Sequence, residues 1–166
     1  MVIAPRVAEP LSPTGVILAI DYGRKRLGLA LSDAHGVTSQ PFATWNRTNR
    51  RGDLARLREL VKKRGVRRIV VGLPLHLDGT PGEMSQEATG FATRVERALG
   101  VRVEMVDERL TSWEAGQSLK KPDSLPRRGR APASARKRKT TLDDLAAAVI
   151  LRDYLDRERT EIGTRG

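Results

Sequence analysis

The sequence predicts an α/β fold: a mixed central sheet that opens with an antiparallel hairpin and carries helices on both faces. Three observations point there. Two apolar runs flank a short polar turn near the start of the chain. Further apolar runs then alternate with segments of helical spacing, the order of βαβ units. The length, 166 residues, suits one domain with a core large enough to fold alone.

Val16 to Ile20 is a short apolar run that ends at Asp21 and reads as a buried strand. Tyr22-Gly23-Arg24-Lys25-Arg26 is a polar turn, and Leu27 to Leu31 (LGLAL) returns as the antiparallel partner. A third strand is expected near Val37 to Thr44, pushed to a sheet edge by Pro41. Asp53 to Arg64 spaces Leu54, Leu57, Leu60 and Val61 as one helical face, with Gly65 placed as its C-cap. Arg68 to Gly72 is a β-branched strand, and the turn-rich LPLHLDGTPG follows it. Glu83 to Leu99 predicts a second helix closed by Gly100.

Val101 to Val106 (VRVEMV) alternates and predicts a strand ending at Asp107-Glu108. Thr111-Ser112-Trp113-Glu114 has the spacing of a capping box, so a short helix is expected there. A last helix is expected from about Leu142 to Arg157, with Thr140 or Thr141 as N-cap. Its middle, LAAAVIL, is apolar nearly all round and so belongs inside the domain. The organisation is one domain over residues 16–158, between a flexible extension at 1–15 and a flexible tail at 159–166.

Composition excludes several chemistries. There are no cysteines, hence no disulfide, thiolate metal site or cysteine nucleophile. His35 and His76 are isolated in sequence. Any metal would be held by carboxylates, which favour magnesium or manganese. No apolar run approaches the roughly 20 residues that cross a bilayer. The N-terminal MVIAPRVAEPLSPTG, with three prolines and an acid, is no secretory signal, so a cytoplasmic protein without a membrane partner is expected.

The formal charge is +11, and its distribution is uneven. Lys120 to Lys139 holds nine basic residues against Asp123, a net +8. With three prolines and few large apolar residues, 121–139 is expected to be a mobile loop. Concentrated positive charge on such a segment suits a nucleic acid, since each phosphate contact releases condensed counterions. The ordinary alternative is a solvated basic loop. The candidate phosphate-gripping residues are Arg24 and Lys25 of the hairpin turn, Arg109, and Arg136, Lys137, Arg138 and Lys139.

Three acids stand where this architecture can bring them together: Asp21 ending the first strand, Glu108 following the last, and Asp143 in the first turn of the last helix. Neighbouring strand ends lie about 5 Å apart, and a helix over their tips can add a third acid. Crowded carboxylates resist joint ionisation unless a cation sits among them. Two divalent ions about 4 Å apart reverse that penalty and promote phosphodiester hydrolysis. Each acid also has a structural reading. Asp21 can start a turn, Glu108 can pair with Arg109 and Asp143 can favour the helix dipole. Asp144 competes for any role given to Asp143.

Four segments resemble the sequence blocks of the YqgF/RuvX family: ILAIDYGRKRLGLALSD (Ile17 to Asp33), IVVGLPLHLDGTPGEMS (Ile69 to Ser85), VEMVDERLTSWEA (Val103 to Ala115) and KRKTTLDDLAAAVIL (Lys137 to Leu151). Members of that family are described as pre-16S ribosomal RNA nucleases and as Holliday-junction-resolvase-like, with a ribonuclease-H-like fold. The resemblance spans roughly Val16 to Tyr154 and implies that Asp21, Glu108 and Asp143 are the catalytic, metal-holding acids. Gly23 and Gly28 match the hairpin glycines, and Gly72, Leu73 and Pro74 match a G-L-P loop. The N-terminal extension is longer, and the basic segment more charged, than the family pattern requires.

The function expected is therefore a magnesium- or manganese-dependent nuclease acting on RNA, in 5′-end maturation of pre-16S ribosomal RNA, with pre-ribosomal particles among its partners. Structured DNA is the alternative substrate, as four-way junctions cut by a resolvase. Resolution needs two symmetric nicks and hence a two-fold dimer, whereas the sequence shows no obvious dimer face; a monomer or weak homodimer is expected. A non-catalytic RNA-binding module is a third reading. The opening D-Y-G hairpin also resembles that of the actin and sugar-kinase superfamily, whose members need two such domains to enclose a nucleotide.

Overall fold

The computed structural model describes residues 15–74, 76, 78–107 and 142–164. The expected helix at Thr111, the basic segment 121–139 and residues 1–14 lie outside the described residues.

Five strands form one sheet: β1 (Val16–Tyr22), β2 (Arg26–Ser32), β3 (Ser39–Asn46), β4 (Val66–Leu73) and β5 (Arg102–Asp107). Their order is β3-β2-β1-β4-β5. The β1–β2 and β2–β3 pairs are antiparallel, while β1–β4 and β4–β5 are parallel. Helices α1 (Arg50–Arg64) and α2 (Glu83–Leu99) cover one face, and α3 (Leu142–Thr164) covers the other. The predicted mixed sheet, opening hairpin and two-sided helical cover are all present.

Period-2 alternation divides the core in two. Leu18, Ile20, Leu29, Ile69 and Val71 point toward α1 and α2, where they pack with Leu57, Phe91 and Val95. Ile17, Ala19, Ala30 and Val70 point the other way, against Ala147, Ile150 and Leu151 of α3. Small side chains dominate the contact on the α3 side: Ala19, Ala30 and Ala147 are fully buried. They let the helix backbone approach the sheet closely.

Element ends differ from the sequence expectation where polar contacts set them. Helix α1 begins at Arg50 rather than Asp53, because the Asn49 side chain caps it by accepting from the Gly52 amide at 2.8 Å. Asp53 is buried, its carboxylate accepting from Arg47 Nε at 3.0 Å and the Thr48 amide at 3.1 Å. Strand β3 lies two residues later at both ends than the expected Val37 to Thr44, and Pro41 sits at a register shift of this edge strand. Helix α3 continues to Thr164, past the expected end at Arg157, so 159–164 is helical rather than tail. Among the described residues no helix is long and apolar enough to cross a membrane.

Candidate active site

The parallel strands β1, β4 and β5 end at Tyr22, Leu73 and Asp107, on one end of the sheet. Asp21 is the penultimate residue of β1. It shares the face of Ile17 and Ala19, so it is directed to the α3 side, while Tyr22 packs in the α1–α2 core. Its cross-strand partner is Gly28 on β2.

Gly28 has no room for a side chain. A Cβ there would lie 2.0 Å from the Asp143 backbone oxygen and 2.5 Å from its carbonyl carbon. The first turn of α3 therefore rests directly on the residue paired with Asp21, which places the two acids on one face at one end. Directly opposed residues of an antiparallel pair sit only about 5 Å apart. Asp21 and Asp143, predicted from opposite ends of the chain, are thus neighbours through a glycine.

The structure separates Asp143 from Asp144. The Asp143 side chain is 35% exposed, and Arg26 Nε on β2 lies 3.4 Å from its Oδ2. Asp144 is only 4% exposed and is directed into the protein. Arg26 was missed by sequence reasoning. The signal for it was the spacing Arg26-Gly28-Ala30, three alternate positions of one strand on the α3 face.

Glu108 lies outside the described residues, as do Arg109, Arg136, Lys137, Arg138 and Lys139. Glu108 follows Asp107, the last residue of β5. The α3-facing positions of that strand are Glu104, whose Oε2 is 3.0 Å from Tyr154 Oη, and buried Val106. Among the described residues there is no group of three or more His, Cys, Asp or Glu side chains that could hold a metal.

Of the expected phosphate contacts, Arg24 is engaged within the protein. Its Nε and Nη2 donate to Glu87 of α2 at 3.0 and 2.8 Å, and Glu83 accepts at 3.4 Å. The hydrogen bond from Arg24 holds the Glu87 carboxyl below its ordinary value, and the same contact raises Arg24. Lys25 is exposed in the turn, its carbonyl accepting from the Arg47 amide at 2.8 Å.

Comparison with known proteins shows the family and the fold. A protein from Koribacter versatilis (strain Ellin345), named "Putative pre-16S rRNA nuclease", is 41% identical over 150 residues, covering 90% of this chain and 92% of that protein. One of the same name from Anaeromyxobacter dehalogenans (strain 2CP-1) is 45% identical over 140 residues, 84% of this chain and 96% of its own. The solved structure of Thermus thermophilus RuvC has the same fold, with a TM-score of 0.50 at 15% identity over 87% of this chain and 97% of that one. The fold is thus ribonuclease-H-like. A family model described as "RuvX: Holliday junction resolvase" matches residues 15–157, and the chain belongs to that family.

Proposed function

We propose that this protein is a divalent-metal-dependent nuclease that hydrolyses phosphodiester bonds of RNA in 5′-end maturation of pre-16S ribosomal RNA. The observation that carries the reading is the seat of α3 on Gly28, which sets Asp143 beside the cross-strand pair of Asp21. The names of the relatives supply the substrate. On this reading the enzyme works in the cytoplasm on pre-ribosomal particles, as a monomer or weak homodimer.

The donor set fits magnesium or manganese. Asp21 and Asp143 offer hard carboxylate oxygens, and the chain has no cysteine to favour a softer ion. Asp21, Glu108 and Asp143 would hold the ions. When bound, such ions make water a stronger nucleophile and stabilise the departing oxygen. Arg26 orients the Asp143 carboxylate from the sheet side. Asp144, one residue on, is buried.

Asp21→Asn tests this reading. The fold should persist, while RNA cleavage with manganese or magnesium should drop by about 100-fold or more, the upper end of the effect of disturbing a metal site's outer shell. Full metal-dependent cleavage by the variant would overturn the assignment. The description of the matching family favours a second reading, resolution of four-way DNA junctions. Paired symmetric nicks by a junction-bound dimer would establish it, and a strict monomer on junction DNA would exclude it.

A further inference from the structure

On the opposite face of the same sheet end lies a second basic feature that the acids do not explain. A cleft of about 380 Å³ opens between the β1–β2 turn, the start of α1 and the middle of α2. Its lining includes Tyr22, Arg24, Arg47, Arg50, Glu87 and Arg94. Tyr22 directly follows Asp21, so β1 carries an acid of the proposed site on one face and the floor of this cleft on the other.

The four arginines are not equivalent. Arg47 is structural: it donates to Asp53 at 3.0 Å, to Tyr22 Oη at 3.1 Å and to the Gly23 carbonyl at 3.2 Å. Its guanidinium lies 5.1 Å from the Tyr22 ring centre and 5.6 Å from that of Phe91, and the two rings are 5.1 Å apart. This makes a rigid aromatic floor. Arg24 is held by Glu87, the acid in the lining, through three hydrogen bonds. Arg50 and Arg94 remain, and among the described residues neither has an ion pair or hydrogen-bonded acid. Two uncompensated guanidinium groups across one cleft repel each other, and a bidentate anion between them removes that repulsion.

We propose that this cleft grips a backbone phosphate of the substrate strand away from the bond being cut, with Arg50 and Arg94 as its donors. The proposal rests on the nuclease reading. The scissile phosphate sits on the Asp21 face and the cleft opens on the other, with the sheet between them. Packed layers are about 10 Å apart, so the strand must continue around the hairpin turn to reach both. Substrates long enough to do so gain binding, and a short phosphodiester does not.

The test is RNA binding by the full chain without divalent ion, across a salt series, with a matched control. Arg50→Gln/Arg94→Gln removes two charges in the cleft. Lys62→Gln/Lys63→Gln removes two from the exposed last turn of the same helix, about 18 Å away. The arginine pair should weaken binding about tenfold and lower the salt slope by about 1.4, the share of two single-strand contacts. In cleavage it should raise KM for long RNA, leave kcat unchanged, and leave a dinucleotide substrate unaffected. Affinity and slope equal to the lysine control would overturn the cleft. Tight binding of inorganic phosphate alone, lost in the arginine pair while RNA affinity stays, would also overturn it and assign a small anion. A wild-type chain that neither binds nor cleaves RNA would instead overturn the nuclease reading.

Discussion

Gly28 shows how one missing side chain positions a site. Gly28→Ala would drive a Cβ into the Asp143 carbonyl, a backbone atom that cannot swing aside. The start of α3 must lift, and we expect a loss of about 1–3 kcal/mol in stability together with lowered cleavage and preserved RNA affinity. Urea unfolding beside a cleavage assay checks both. Asp33 illustrates a different residue-scale device. Its Oδ1 accepts from the Thr38 amide at 3.1 Å and the Val37 amide at 2.7 Å, and these bonds hold its carboxyl below the ordinary value. The sign follows from linkage: the stabilisation is complete above the unfolded carboxyl pKa of about 3.9 and is lost as pH falls through the lower folded value. Asp33→Asn should therefore lower the melting temperature at neutral pH and reduce its fall on acidification. The choice between Asp143 and Asp144 was not legible from the residues themselves. LAAAVIL is apolar nearly all round, so the helix carries no pattern that states which side meets the sheet. The contact with Gly28 is made by Asp143, the less buried of the two acids.

At the scale of elements, most of the sheet was legible because its strands are short apolar runs bounded by turn residues. The hairpin and the β-branched fourth strand are continuous apolar runs buried on both faces, and VRVEMV alternates. The α1 and α3 ends were less so, since they are set by side chains far away in sequence or by caps. Helix α3 persists beyond its apolar stretch through polar contacts. Arg68 on β4 donates to Tyr154 and Glu158, Tyr154 Oη lies 2.9 Å from Glu158 and 3.0 Å from Glu104, and Arg159 donates to the Val37 carbonyl. Burial raises the Tyr154 phenol above its ordinary value, so it stays protonated and donates to one carboxylate at a time. Tyr154→Phe removes the hub and should cost about 1–2 kcal/mol, read as a lower urea midpoint with an unchanged slope. Because this network seats α3 far from Asp143, the variant should retain cleavage at temperatures where it stays folded.

For the molecule as a whole, the order β3-β2-β1-β4-β5 brings the ends of its parallel strands and the start of α3 to one place. That convergence could be argued from the sequence, since Asp21 ends a strand and Asp143 opens a helix. Arg26 and the Arg50–Arg94 cleft could not, because they depend on which residues of separate elements face one another. The net +8 between Lys120 and Lys139 belongs to this scale too. Replacing Arg136, Lys137, Arg138 and Lys139 with glutamine should weaken RNA binding and flatten its salt dependence, because fewer phosphates are then neutralised and fewer counterions released. An unchanged slope would make that segment solvated surface.

On the proposed reading, Asp21, Glu108 and Asp143 form one hydrolytic site. The most direct test cleaves matched RNA and four-way-junction DNA with manganese or magnesium, wild type beside Glu108→Gln. RNA cut by the wild type and left intact by the variant, with the variant folded and still binding, is the predicted result. Equal cleavage by both proteins would contradict the claim.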